Sequence, residues 1–105
     1  MAENTPVLDT ITAITAVSVE EGTLDAREHM IARLAALIAV GAPGSSYLLN
    51  LGAAADTGVT LEDVQGVLIA VAPIVGTPRV ISAAGSIADA FDIVIDVIEA
   101  EYDEA

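Results

Sequence analysis

The sequence predicts an all-α helical bundle of about five helices that ends in a long C-terminal helix. Hydrophobic residues make up 54% of the 105 residues and aromatic residues only 3%, so most of the apolar side chains are Ala, Val, Ile and Leu. Ala and Leu favour helix, and Val and Ile tolerate it when they are buried. Apolar residues recur at helical spacing between Gly and Pro breaks, and no long segment alternates as a strand would. The length predicts one domain, residues 1–105, with a disordered start at residues 1–5.

The first two helices have recognisable beginnings and ends. Thr5 is the expected N-cap of the first helix, with Pro6 at its first position, where the missing N–H costs nothing. The segment EEGT at residues 20–23 ends that helix. Asp25 is the expected N-cap of a second helix, Ala26–Val40. Gly41 and Pro43 then break the pattern.

Three further helices follow from local signals. Ser45 or Ser46 should open the third helix, which Gly58 should stop in a left-handed cap. Thr60 and Asp63 have the form of a capping box, and the fourth helix should run from residue 61 to about residue 72 and occupy the centre of the bundle. Pro73 should end it. Thr77 as N-cap and Pro78 as first residue should start the last helix, which should reach about residue 102.

Charge and hydropathy narrow the classes of partner. The net charge of −13, with only Arg27, Arg33 and Arg79 as cations, disfavours nucleic acids and acidic membrane surfaces as partners. A helix that spans a membrane needs about 20 consecutive apolar residues, and the longest apolar stretches of this chain are shorter. A mean hydropathy of +0.68 is more than one small core can bury, which predicts interfaces between copies of the chain. The N-terminus lacks the pattern of a signal peptide, and we expect a cytoplasmic protein.

Two segments, LDAREHMIARLAALIAVGAP and TGVTLEDVQGVLIAVAPIVGTPR, resemble the carboxymuconolactone decarboxylase and alkylhydroperoxidase D-like family. The resemblance rests on Leu24–Asp25, on the Gly58–Val59–Thr60 turn and on the turn of residues 76–79. It implies an all-helical fold and assembly as a trimer or hexamer. The peroxidase-like branch of the family has two cysteines, a histidine and a glutamate that relays protons. The corresponding positions here are Pro43, Ser46, Asn50 and Met30.

These replacements constrain the chemistry. The chain has no cysteine, which excludes an intrinsic thiol peroxidase activity because that reaction needs a thiolate. The decarboxylase branch needs no thiol, but Asn50 cannot titrate near neutral pH in place of a histidine. Whether the protein is an enzyme stays open. We expect no cofactor and no metal, since one histidine and no short carboxylate cluster make a poor ligand set.

The candidate pocket consists of side chains around the position of the family histidine. Tyr47 and Asn50 lie one turn apart and should share a face, with Met30 opposite them. The pocket residues are Met30, Arg33, Ser46, Tyr47 and Asn50. Asn50 has an equally weighted alternative as a hydrogen-bonded amide that fixes helix register.

Other polar residues have simpler interpretations. Arg33 should pair with a carboxylate, and Arg79, at an unfavourable helix end for a cation, should have a carbonyl or carboxylate partner. His29 should be a partly exposed surface residue, and Ser45 and Ser46 should be N-caps.

Three hypotheses for function follow. The first is a homo-oligomer of this family architecture that is non-catalytic or binds a small apolar ligand in a reshaped pocket. The second is a thiol-free enzyme similar to lactone decarboxylases. The third is an interaction module whose acidic last helix binds a basic partner, although a solvated face is the favoured explanation of that row of acids. The row comprises Asp89, Asp92, Asp96, Glu99 and Asp103.

Overall fold

The computed structural model describes the backbone of residues 4–104 and the side chains of residues 4–92. Within that part of the chain there are five helices and no strand, which confirms the all-α prediction. The helices are α1 (Pro6–Glu21), α2 (Ala26–Val40), α3 (Gly44–Asp56), α4 (Leu61–Val75) and α5 (Thr77–Glu104). Residues 1–3 of the predicted disordered start lie outside the described residues. Thr5 already occupies the N-cap of α1.

Capping explains where α2 and α4 begin. Asp25 accepts a hydrogen bond from the backbone N–H of Glu28, whose side chain accepts one from the backbone of Asp25. Thr60 and Asp63 make the same reciprocal pair at the start of α4. Each box satisfies two backbone N–H groups that a helix start leaves without partners. Both N-caps are the residues that the sequence predicts.

The start of α3 differs from the prediction. Pro43 is the N-cap and makes no side-chain capping bond, and the helix begins at Gly44. Ser45 and Ser46 therefore lie inside the first turn, where the backbone N–H of Ser46 donates to the carbonyl of Pro43 at 3.0 Å. The sequence prediction that either serine is the N-cap is wrong. The fixed φ of a proline suits the extended N-cap conformation seen here.

The end of α4 also differs from the prediction. The helix continues through Pro73 to Val75 and ends when Gly76 donates its N–H to the carbonyl of Ala72 at 3.0 Å. A proline removes one helical hydrogen bond and crowds the carbonyl four residues before it. Here that carbonyl belongs to Ile69, and both Ile69 and Pro73 are exposed. Water can therefore take the place of the lost bond, and the helix survives for its last turn.

The core lies among α2, α3, α4 and α5. The helix pairs α3–α5 and α2–α4 form the most extensive contacts, and α2 also touches α3 and α5. The fourth helix is not central as predicted: it packs on α2 and α5 along one side and exposes Ile69 and Ile74. The main buried cluster consists of Leu34, Ile38, Tyr47, Leu51, Val64, Val67, Ala83, Ile87 and Ala90.

Helix α1 contributes nothing to this core. None of its residues is buried, and its large apolar side chains are between 54% and 70% exposed. They are Val7, Leu8, Ile11, Ile14, Val17 and Val19. The radius of gyration is 15.1 Å, against about 13 Å for a compact domain of this length. The single chain is thus more extended than a self-sufficient domain. No helix in the described part combines the length and the apolar character needed to cross a bilayer.

Candidate functional site

The five residues predicted to form a pocket lie in different surroundings. Arg33 and Asn50 line one groove, and Tyr47 lines a separate cavity. Met30 is 7% exposed and buried outside the main core cluster. Ser46 is half-buried, and its carbonyl accepts a hydrogen bond from Asn50. The structure therefore brings Arg33 and Asn50 together and places Tyr47 elsewhere.

The groove at Arg33 and Asn50 forms where α1 crosses α2 and α3. We call it the α1 groove; it has a volume of about 320 Å³. Its lining combines apolar side chains with the guanidinium of Arg33 and the amide of Asn50. Arg33 donates from Nη2 to the carbonyl of Thr15 at 3.4 Å, which ties α2 to α1. The predicted carboxylate partner of Arg33 is not among the described residues of the same chain. The groove is lined by Ile14, Thr15, Ser18, Arg33, Ala36, Leu37 and Asn50.

The amide of Asn50 is committed to its own helix. Its Nδ2 donates to the carbonyl of Ser46 at 2.8 Å, one turn earlier. This bond orients the side chain and leaves its Oδ1 to face the groove or a neighbouring donor. Asn50 is hydrogen-bonded within α3 and lines a groove that includes neither Tyr47 nor Met30.

A second cavity lies between the end of α2 and the start of α5. We call it the Arg79 cavity; it measures about 250 Å³ and is lined by Gly41, Ala42, Tyr47, Arg79, Ser82 and Ala83. Gly41 caps α2 in the left-handed conformation at φ +70°. Arg79 Nη1 donates to the carbonyl of Ala39 in the last turn of α2 at 2.6 Å. The predicted carbonyl partner of Arg79 is confirmed, and the negative end of the α2 dipole offsets its unfavourable position at the start of α5.

Tyr47 lines the same cavity as Arg79, and its hydroxyl is buried. The residue is 1% exposed, and its Oη has no hydrogen-bond partner among the described residues. Burial raises the pKa of the Tyr47 phenol above its ordinary value, because a low-dielectric surrounding disfavours the phenolate. The group is therefore a neutral O–H at physiological pH. Buried hydroxyls without a partner are rare in folded proteins.

A comparison with known protein families covers most of the chain. The sequence model of the Carboxymuconolactone decarboxylase family matches residues 5–89. The chain belongs to the carboxymuconolactone decarboxylase family. The match spans α1 to α4 and the first half of α5, so it includes both cavities. Searches of curated proteins and of solved structures found no match.

Membership in the carboxymuconolactone decarboxylase family confirms the resemblance found in the sequence. The resemblance assigns the family's two thiols to Pro43, the N-cap of α3, and to Ser46 within that helix. It assigns the histidine to Asn50 of α3 and the acid to Met30 of α2. In the structure Pro43 is a cap, Asn50 is bonded to the backbone, and Met30 is buried and apolar. None of these four side chains exchanges a proton near neutral pH.

The other polar groups make structural contacts. Arg27 Nη2 lies 2.7 Å from Asp63 Oδ1 and joins the starts of α2 and α4. The Thr60 backbone N–H and the Arg27 guanidinium lower the pKa of the Asp63 carboxyl. His29 is half-buried, as a partly exposed residue should be, and its Nε2 has no partner among the described residues. No group of three or more His, Cys, Asp or Glu side chains suitable for a metal ion occurs in the described part.

An apolar groove and the row of acidic residues on α5 lie outside the α1 groove and the Arg79 cavity. The groove, of about 310 Å³, lies between α4 and α5. Asp89 and Asp92 are exposed on α5, whereas the side chains of Asp96, Glu99 and Asp103 lie outside the described residues. The sequence did not predict that Arg79 and Tyr47 line one cavity. The only local signal was Ser82, one turn after Arg79 and therefore on the same side of α5.

Proposed function

We propose that this protein is a homo-oligomeric, non-catalytic member of its family that binds a small, largely apolar molecule in the α1 groove. The observation that carries the proposal is the state of the family histidine position. Asn50 faces this groove, but its amide is bonded to Ser46 at 2.8 Å and it has no titratable group. A groove without a titratable acid–base group at this position supports binding better than turnover.

The composition of the α1 groove supports the ligand class. Ile14, Ala36 and Leu37 offer apolar contact, while Arg33 and Asn50 offer polar groups. Binding sites for small molecules are mostly apolar with a few polar groups that fix orientation. At about 320 Å³, the groove lies at the small end of the usual range for such sites. A compact ring or a short chain fits this description.

Exposed area supports the oligomeric state. The chain exposes 7227 Å², whereas a monomeric globular protein of its mass exposes about 5,500 Å². The excess, roughly 1,700 Å², equals about two standard interfaces of ~800 Å² per partner. Two interfaces per subunit are what a closed ring requires, so the excess favours a trimer or a larger ring. The unburied apolar side chains of α1 are the principal candidates for this contact.

Ligand binding and catalysis can be tested on the same preparation. Thermal unfolding is followed with indole, toluene and 1-hexanol, and turnover is measured with carboxymuconolactone and with peroxide plus a dithiol. We expect at least one apolar probe to raise the unfolding temperature and neither substrate to be consumed. Turnover of the lactone would instead favour the thiol-free decarboxylase and overturn the non-catalytic proposal.

A matched pair of variants locates the binding site. Ala36→Phe fills the α1 groove, and Ala70→Phe places the same side chain at another exposed position, on α4. Ala36→Phe should abolish the rise in unfolding temperature that the apolar probe causes, and Ala70→Phe should leave that rise unchanged. Equal loss in both variants, or retention in both, would remove the α1 groove as the binding site.

A further inference from the structure

We propose that the first half of α1 in one subunit docks in the groove between α4 and α5 of the next subunit, so that the subunits associate head to tail. This inference rests on the proposed homo-oligomer and identifies the surface that receives α1. We call that surface the α4–α5 groove. Its lining includes Leu61, Val64 and Leu68 of α4 and Ala84, Ile87 and Phe91 of α5.

The two halves of α1 have different surroundings. The second half meets its own chain, since Arg33 bonds the carbonyl of Thr15 and the α1 groove lies beside it. At the first half, every residue that lines the local hollow belongs to α1 itself. Val7, Leu8 and Ile11 of this half are between 55% and 70% exposed. The first half is therefore an apolar helical segment that the described part of its own chain leaves uncovered.

The spacing of the α1 side chains matches the length of the α4–α5 groove. Val7, Ile11 and Ile14 lie within about 60° of one another around the helix axis and span seven residues, about 10 Å. Ile14 also borders the α1 groove but is 63% exposed. On α4 the lining runs from Leu61 to Leu68, which is again seven residues and about 10 Å. Apolar side chains at such spacings are the anchors by which a helix binds a hydrophobic groove.

The lining of the α4–α5 groove combines buried and exposed apolar residues. Val64 and Ile87 are buried, Leu61 is 53% exposed, and Ala84 and Ala88 are exposed. The distance between two packed helices depends on the side chains at their contact. The short alanine side chains of α5 therefore allow a further helix to pack closely on this surface.

Charge restricts which surfaces of two copies can meet, because a net charge of −13 makes the copies repel one another. Every residue of α1 between Asp9 and Glu20 is uncharged. Among the nine residues that line the α4–α5 groove, Asp92 alone is charged. These two surfaces can therefore meet with little repulsion. Antiparallel pairing of two α1 helices would instead bring Asp9 of each copy towards the acids at the end of the other helix.

Exposed area also favours a head-to-tail contact. The chain exposes roughly 1,700 Å² more than a monomer of its mass, which is about two standard interfaces per subunit. A head-to-tail ring uses two different patches on each subunit, here the first half of α1 and the α4–α5 groove. Pairing of α1 with α1 would cover only one of these patches.

Cross-linking tests the contact directly, because the chain has no cysteine and introduced thiols are the only ones. Thr10→Cys lies beside the apolar stripe of α1, and Gln65→Cys lies in the lining of the α4–α5 groove. A chain with both substitutions is treated with a short bismaleimide and separated under denaturing conditions. We expect a ladder of linked subunits that ends at the size of the ring, and single chains from either variant alone. The control combines Gln65→Cys with Thr12→Cys, which lies on the other side of α1 and should give no ladder.

A matched pair of charge variants measures the contribution of the groove. Ala88→Glu places a carboxylate in the α4–α5 groove, and Ala70→Glu adds the same charge at an exposed position of α4 outside it. Ala88→Glu should weaken self-association by about tenfold or more, since burying an unpaired charge is unfavourable, and Ala70→Glu should have a much smaller effect. Analytical ultracentrifugation measures association, and circular dichroism reports the helices. Equal weakening by the two variants would overturn the proposal.

The outcomes separate this inference from the proposed function. A ring in native mass spectrometry without a ladder in the double cysteine variant would overturn head-to-tail docking and leave the homo-oligomer in place. Linked pairs from Thr10→Cys alone would assign the contact to α1 with α1 and also overturn the docking. A single subunit in native mass spectrometry would overturn both proposals. If Ala88→Glu loses its helical circular dichroism, the cross-linking result decides.

Discussion

At the scale of single residues, this protein shows how little a residue type says about its role without its surroundings. Asn50 stands at the position that the resemblance assigns to a histidine, and its amide donates to a backbone carbonyl of its own helix at 2.8 Å. Tyr47 lies three residues before it but lines a different cavity with a buried hydroxyl. Three residues place the two side chains only about 60° apart around the helix axis, so they lie on one side of α3 and still line different cavities.

The burial of Tyr47 predicts a loss of stability in alkali. A phenol whose pKa is raised by folding keeps its proton when the unfolded chain has lost it. Its contribution is therefore complete below the unfolded pKa of about 10, and it disappears as pH rises through the higher folded value. Urea unfolding between about pH 8 and pH 11 should show a falling midpoint. Tyr47→Phe should flatten this fall, and Tyr102→Phe tests whether the effect is specific; an equal slope in wild type and Tyr47→Phe would contradict the assignment.

At the scale of helices, short side chains at the helix starts define the boundaries more reliably than prolines do. Asp25 and Thr60 begin α2 and α4 where the sequence places them, because a capping box is a local hydrogen-bond pattern. Pro73 does not end α4, since the exposed backbone around it can be hydrated. Pro43 begins α3 without a side-chain bond, and the neighbouring serines are left without a capping role.

The stability contributed by the Thr60 cap can be compared with that of Ser45, which makes no cap. Thr60 accepts the backbone N–H of Asp63 at 3.1 Å, so Thr60→Ala should lower the free energy of unfolding by about 1 kcal/mol. Ser45→Ala changes an exposed residue inside a helix turn and should alter it by less than ~0.5 kcal/mol. Both are compared by urea denaturation at one protein concentration, because assembly makes stability depend on concentration. A larger loss in Ser45→Ala than in Thr60→Ala would contradict the observed capping.

At the scale of the whole molecule, the described part of the chain has a core built from four helices and a fifth, α1, that packs on it only weakly. A helix of mostly apolar residues that buries none of them gains little stability from packing within its own chain. The large exposed area of the chain and its net charge of −13 have opposite effects on self-association. Apolar faces favour association, and the charge limits association to contacts with good complementarity.

The proposed role of α1 in assembly predicts the effect of making it polar. Ile11→Gln with Ile14→Gln should lower the subunit count, weakening association by about 100-fold or more, as expected for removing two buried isoleucines. Light scattering and native mass spectrometry measure the count, and circular dichroism reports whether the core helices persist. The control is Thr12→Gln with Ala16→Gln on the opposite side of α1. An unchanged count in the isoleucine variant would show that α1 is not the interface.

The sequence by itself determined the helices, their order, the N-caps of α2 and α4, the family frame and the absence of a thiol. These are set by residue identity and by interactions within one helical turn, which are local in the chain. Tertiary structure alone decided that Tyr47 and Arg79 line one cavity, that Arg33 bonds the carbonyl of Thr15, and that α1 stays outside the core. Such contacts join residues far apart in sequence, and they depend on which helix faces compete successfully for burial. The apolar pattern of α1 resembles that of a buried helix, and only the packing of the other four shows that no place in the core is left for it.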